Sequence, residues 1–132
     1  METRMSKMRG AWVLATIAMT AGSQAHAQSS ATAIADGRQV FQHCSTCHSL
    51  SPSQNGRGPT LNKIFGRRAG SVPGYAYSLA LKNSGIIWNT ASLQRYVSDP
   101  GKVVPGGKME FAGIANPKQI QDLLAYLRQA AR

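Results

Sequence analysis

Cys44-Ser45-Thr46-Cys47-His48 is the stretch on which the reading of this chain turns. Two cysteines with two residues between them, and a histidine directly after the second, form the C-x-x-C-H signature of covalent haem attachment. Each thiol can add to one vinyl group of the porphyrin, and the two-residue spacer suits the distance between the vinyls. The adjacent imidazole then falls under the iron as proximal ligand, a role haem iron commonly gives to histidine. Cysteine and histidine are rare, so a chance match in a chain of this size is on the order of one in a thousand or less.

Three plainer readings compete. A thioredoxin-like pair also uses C-x-x-C but belongs beside a βαβ pattern, and no alternation of strands and helices is visible. A zinc site usually takes four ligands, mostly Cys and His, and of those two residue types only His26 and His43 remain outside the motif. A disulfide within C-x-x-C would close too small a loop to stabilise much. One covalent haem c on Cys44 and Cys47, with iron on His48, is the expectation.

The N-terminus points the same way without sharing residues with the motif. Arg4, Lys7 and Arg9 form a basic start, Ala11 to Ala21 is a short apolar run, and Ala25-His26-Ala27 is a small-x-small cleavage box. Residues 1–27 therefore read as a secretion signal removed after Ala27, and residues 28–132 as one mature domain. The apolar run is shorter than the roughly 20 residues of a membrane span, so no stable span is expected; an uncleaved anchor is the alternative. Export implies the periplasm, an oxidising compartment.

The chain carries 15 Lys and Arg against 5 Asp and Glu, a net charge of +10. Such a surface suits nucleic acid, anionic membrane or an acidic protein. Nucleic acid does not fit an exported chain, and an acidic docking partner fits best; a generally soluble basic face is the plainer alternative. A monomer is expected. The mature part can bury only a modest core and is rich in Gly and Pro loops. A haem would supply a rigid apolar centre, so folding should be coupled to the cofactor.

The pattern predicts an all-α domain of three main helices. The first runs from Ile34 to Cys47, after a small-residue lead-in at Ser29 to Thr32. Gly37 inside it costs about 1 kcal/mol against Ala, which makes sense where another helix crosses closely. A middle helix starts near Asn89 or Thr90, carries Leu93, Tyr96 and Val97, and stops before Pro100. The last has Asn116 as N-cap, Pro117 at the first position and Gln119 at capping-box spacing. Ile120, Leu123, Leu124 and Leu127 then make one apolar face, with Tyr126 at its edge. A short helical turn at Ser78 to Asn83 ends at Gly85. First and last helices should pack together.

The sixth iron position is open or filled by a side chain. Met1, Met5, Met8 and Met19 lie in the expected signal, leaving Met109 in the Pro-Gly loop Val104 to Met109. Met109 is the expected ligand, against an ordinary core methionine or His43, which is tied to the thioether side. A thioether sulfur favours Fe(II) and raises the reduction potential.

These residues closely resemble class I c-type cytochromes, the soluble mitochondrial and bacterial type. The likeness runs from Gly37 through C-S-T-C-H, Gly58-Pro59-Thr60-Leu61, Phe65-Gly66-Arg67, Pro73 to Tyr77, Gly85 to Trp88, Leu93, Tyr96, Lys108-Met109 and Phe111 to Ile114, as far as Leu127. It implies the class I fold, with short helices and loops added around one haem. It also implies roles: the Pro59 carbonyl accepts from the His48 ring, Tyr77 and Trp88 bind a buried propionate, and Arg67 offsets its charge. Tyr96 lies beside the methionine sulfur and Phe111 near the exposed haem edge. Departures stand at Gly107 and Leu81, where the family often has a threonine and an asparagine near the inner propionate. Several docking lysines are absent, with Gly101, Ala115 and Asn116 in their places, while Lys102 and Lys108 remain.

The function expected is a periplasmic one-electron carrier, not an enzyme. It would link a respiratory or photosynthetic membrane complex, such as quinol-cytochrome c oxidoreductase, to a terminal oxidase, reaction centre or soluble reductase. The rivals are a small peroxidase-like haem enzyme and a haem subunit of a larger periplasmic oxidoreductase.

Overall fold

In the computed structural model, residues 22–132 are described; residues 1–21, which hold most of the expected signal segment, lie outside them. Five helices follow in order: α1 Gly22–Ser45, α2 Leu79–Lys82, α3 Thr90–Ser98, α4 Pro100–Val103 and α5 Pro117–Ala130. Extended structure among the described residues amounts to one isolated bridge, Arg68 to Ile87.

The expected pairing of first and last helices is the principal helix contact. Gly37 sits at the crossing: a Cβ there would overlap the Asp122 carbonyl and press on Tyr126. Only a residue without a side chain lets the two backbones come this close. Phe41 packs on Tyr126 with ring centroids 5.4 Å apart. Lys118 joins the helices from outside, 3.4 Å from Asp36 of α1 and 2.6 Å from Asp122 on its own helix. The α5 stripe of Ile120, Leu123, Leu124 and Leu127 is buried as expected.

Caps set the helix starts. Asn89 and Ser92 form a reciprocal capping box at α3, and Asn116 Oδ1 accepts from the Lys118 and Gln119 amides at α5. Each such cap satisfies amides the helix itself leaves orphaned. One expectation needs correction: α1 is already helical at Gly22, the first described residue, rather than starting at Ile34; it takes in Ser29 to Thr32, because alanines at 31, 33 and 35 favour helix, and it stops at Ser45, before Cys47. The middle helix stops before Pro100 as expected, and the same proline opens α4, where it occupies the first turn behind the Asp99 cap.

The segment between α1 and α3 is mostly loop, held by side-chain bonds to backbone. Thr60, buried, donates to the Ser51 carbonyl at 2.7 Å. Asn55 accepts from the Thr60 amide and donates to the Pro73 carbonyl. The chain end is pinned by Lys63 N to Ala131 O at 2.6 Å and Asn62 Nδ2 to Arg132 O at 2.7 Å. These bonds carry the loop across α5 and leave an opening between them.

Candidate haem pocket

That opening is a cavity of about 400 Å³. Every site residue expected from the sequence lines it: Cys44, Cys47, His48, Pro59, Arg67, Tyr77, Trp88, Tyr96, Met109 and Phe111. They come from the end of α1, three loop segments and α3. Its apolar walls are completed by Leu61, Ile64, Leu81, Leu93, Leu123 and Leu127.

The last turn of α1 presents Cys44, and the chain then folds back, with Cys47 N and His48 N both bonded to Cys44 O at 3.1 and 2.9 Å. The two cysteines form no disulfide. Burial pushes the Cys44 thiol up to about 11, and the nearby Cys47 adds to this. The His48 ring lies 2.7 Å from the Pro59 carbonyl through Nδ1. A carbonyl can only accept, so the proton sits on Nδ1 and the Nε2 lone pair is left unprotonated. Burial lowers the His48 pKa below the usual histidine value, with the Pro59 bond opposing, which also keeps the ring neutral near pH 7. Gly58 lies against the flat of this ring: a Cβ there would overlap it. Gly58 thus lets the loop pass the imidazole at contact distance.

At another part of the wall, Arg67 donates through Nη1 to the Asn62 carbonyl (2.6 Å) and through Nη2 to the Thr60 carbonyl (2.8 Å). Burial lowers the Arg67 pKa, with Tyr77 acting the other way. Tyr77 Oη accepts from the Val72 amide at 3.3 Å, and its phenol pKa is raised, chiefly by burial. Trp88 is buried and packs on Tyr96 with the rings tilted and their centroids 5.0 Å apart; burial raises the Tyr96 phenol pKa. Met109 is half-buried, and the Phe111 amide turns back to its carbonyl at 3.1 Å.

The mouth is assembled from distant segments. Tyr75 Oη donates to the Arg57 carbonyl at 2.8 Å and its ring meets Tyr77 edge-on at 4.8 Å. Lys108 Nζ donates to the Ala76 carbonyl at 2.7 Å and lies 5.9 Å from the Tyr75 ring centroid. Arg57, Tyr75 and Glu110 also line the cavity, with no local sequence signal to mark them, and Leu123 and Leu127, whose periodicity indicates only helix packing, line it too. Lys102, expected near the haem edge, sits on α4 and does not line the cavity.

The donor set fits haem c. Two thiols and an imidazole with a free nitrogen share the cavity with a thioether sulfur. Its walls are apolar, and a guanidinium, a phenol and an indole line it, chemistry that suits the carboxylates such a group carries. Among the described residues no group of three or more His, Cys, Asp or Glu gathers for a bare metal ion, and no helix is long and apolar enough to cross a membrane.

An all-α domain wrapped on such a cavity is the architecture of a c-type haem protein. Comparison with known proteins agrees. The family model described as cytochrome c matches residues 34–131. Cytochrome c2 of Blastochloris viridis is 47% identical over 96 residues, 72% of this chain and 76% of that one. Cytochrome c of Sesamum indicum is 40% identical over 99 residues, 74% of this chain and 89% of that one. The solved structure of cytochrome cH from Methylobacterium extorquens superposes with a TM-score of 0.69 at 45% identity, covering 73% of this chain and 97% of that one. The chain belongs to the cytochrome c family. It is an electron carrier holding haem c rather than an enzyme, which sets the peroxidase-like rival aside.

Proposed function

We propose that this protein is a periplasmic one-electron carrier with His48 and Met109 as axial ligands and thioether links at Cys44 and Cys47. Residues 1–27 are its export signal and residues 28–132 its monohaem domain. It takes electrons from a quinol-oxidising membrane complex and passes them to an acidic partner: a terminal oxidase, a reaction centre or a soluble reductase. The reading rests above all on one observation: the C-x-x-C-H turn, the Pro59-oriented imidazole and Met109 converge on a single cavity.

Bound haem c supplies a one-electron Fe(III)/Fe(II) couple. The chain's own residues set the conditions for it. Pro59 holds the proton on His48 Nδ1, keeping Nε2 a lone-pair donor, as outer partners of metal-bound histidines do. The neutral Met109 sulfur favours the reduced metal and raises the potential. With haem c bound, Met109 would hold the iron position left by His48, which would keep oxygen and peroxide from binding and keep rearrangement small. Arg67, Tyr77 and Trp88 offer charge and hydrogen bonds to a buried carboxylate, which needs such partners. Tyr96 would lie beside the sulfur and Phe111 near the exposed edge of the haem, while Leu81, Leu123 and Leu127 would keep water from it.

The test is spectroscopic. Oxidised holoprotein should show the far-red band of methionine-to-iron charge transfer, and Met109→Ala should abolish it and lower the potential. A band that survives the substitution refutes the ligand assignment. Haem staining that is lost on denaturing gels of the wild-type protein refutes the thioethers.

A further inference from the structure

Asn55 ties the loop wall together, and it also stands one peptide group away from the His48 ring. The residue is half-buried. Its Oδ1 accepts from the Thr60 amide at 3.0 Å, and its Nδ2 donates to the Pro73 carbonyl at 3.0 Å. These partners fix which way the side-chain amide points, since a backbone N–H only donates and a carbonyl only accepts. The Thr60 amide and the Pro59 carbonyl belong to one peptide unit. The carbonyl end of that unit accepts from His48 Nδ1 at 2.7 Å. A single planar, resonance-coupled group therefore links the Asn55 oxygen to the imidazole.

That unit is held still from several sides. Thr60 is buried, its Oγ1 donates to the Ser51 carbonyl at 2.7 Å and accepts from the Asn62 amide at 3.1 Å, and its own carbonyl takes Arg67 Nη2 at 2.8 Å. Hydrogen bonds in series polarise one another. A bond accepted from the Thr60 N–H shifts electron density along the peptide toward the Pro59 oxygen, which then holds the His48 proton more strongly. The bond to Pro73 leads away from the ring, into the loop that carries Tyr75 and Tyr77.

We propose that Asn55 is a positioning residue for the proximal ligand: through the Pro59–Thr60 peptide it strengthens the hydrogen bond on His48 Nδ1, makes Nε2 a better donor, and so lowers the reduction potential of the bound haem. This rests on the reading that His48 ligates the iron. An outer partner of this kind raises the basicity of a metal-bound histidine, and a more basic donor favours the ferric state. Asn55 thus works against Met109, whose sulfur raises the potential.

The test compares wild-type holoprotein with Asn55→Ala and Asn55→Asp. The potential is read by equilibrium with a redox mediator, and the His48 Nδ1–H resonance by NMR of the ferrous protein. Asn55→Ala removes the acceptor. Its redox equilibrium should shift about threefold toward Fe(II), about 30 mV, and the ring proton should move upfield. Asn55→Asp keeps an acceptor, now charged, and loses the donor to Pro73. Its potential should fall and its ring proton should move downfield. A merely structural role gives a different pattern: both variants break the Pro73 bond, and a loosened loop that admits water favours the more charged ferric state and lowers the potential in both. A potential that is unchanged or lower in Asn55→Ala overturns the proposal, as does a ring proton that fails to move in opposite senses in the two variants. If Asn55→Ala does not take up haem, Asn55→Asp decides alone: a ring proton that stays in place or moves upfield overturns the proposal. Where the wild-type protein shows His48 ring signals shifted by a bound haem, such a failure is confined to Asn55. Where it shows none, the ligand reading falls and this inference falls with it.

Discussion

The α1–α5 clasp and the wall of the haem pocket are built on different terms. The clasp joins two long helices, backbone against backbone where Gly37 meets the Asp122 carbonyl and ring against ring where Phe41 meets Tyr126. The pocket wall is mostly loop. It is held by side chains reaching backbone carbonyls, as Arg67 does to Asn62 and Thr60 and Lys108 to Ala76. The clasp buries apolar surface without help, whereas the wall surrounds about 400 Å³ that a cofactor must fill. Stability in this protein should accordingly be uneven, as it is wherever one part depends on a ligand.

The largest expected effect comes from denying the pocket its cofactor. The double variant Cys44→Ala, Cys47→Ala should lose fixed near-ultraviolet circular dichroism and amide protection throughout the loop wall. What helix signal remains should come from α1 and α5. Native protection in loop residues 104–114 without haem would erase the contrast. Next comes a break in the clasp itself: Gly37→Val forces the helices apart and should cost more than about 3 kcal/mol in denaturant unfolding, in the manner of overpacked contacts. Wild-type stability in this variant would mean that the close crossing does not matter.

Leu123→Ala probes the seam, since Leu123 is 1% exposed and lines the cavity as well. A loss of roughly 2–5 kcal/mol is expected in the holoprotein, and a shift in the haem absorption should accompany it. Destabilisation with an unaltered spectrum would assign Leu123 to the clasp alone. The smallest effect belongs to Lys118→Met. Its ammonium pKa is raised above the usual lysine value, first by its bond to Asp122 and then by Asp36. Being raised in the folded state, it contributes stability that is complete below the ordinary lysine pKa and lost as pH climbs through the raised one. The variant should melt slightly below wild type at pH 7 and converge with it in strong alkali; a gap that widens there would reverse the assignment.

Legibility in the sequence follows the same division. α5 could be read in full because its cap, its proline and its apolar stripe are all local signals, and Gly37 announced the crossing by being costly anywhere else. The helical stretch before Ile34 could not, since its alanines and serines carry no amphipathic pattern. α4 was hidden because the proline that stops one helix starts another. Within the pocket, the attachment motif is five contiguous residues and was unmistakable. The mouth escaped notice because Arg57, Tyr75 and Glu110 come from three separate loops, and nothing in their local spacing ties them together. Leu123 and Leu127 were read as packing because periodicity reports that a face is buried, not what it is buried against.

Those two leucines have a further consequence. The same face of α5 closes the helix pair and floors the cavity, so maturation and folding inspect one another. Without the cofactor those leucines would face an open space at the centre of the domain; with it they would be covered on both sides, so the packing of α5 is finished only when the cavity is filled.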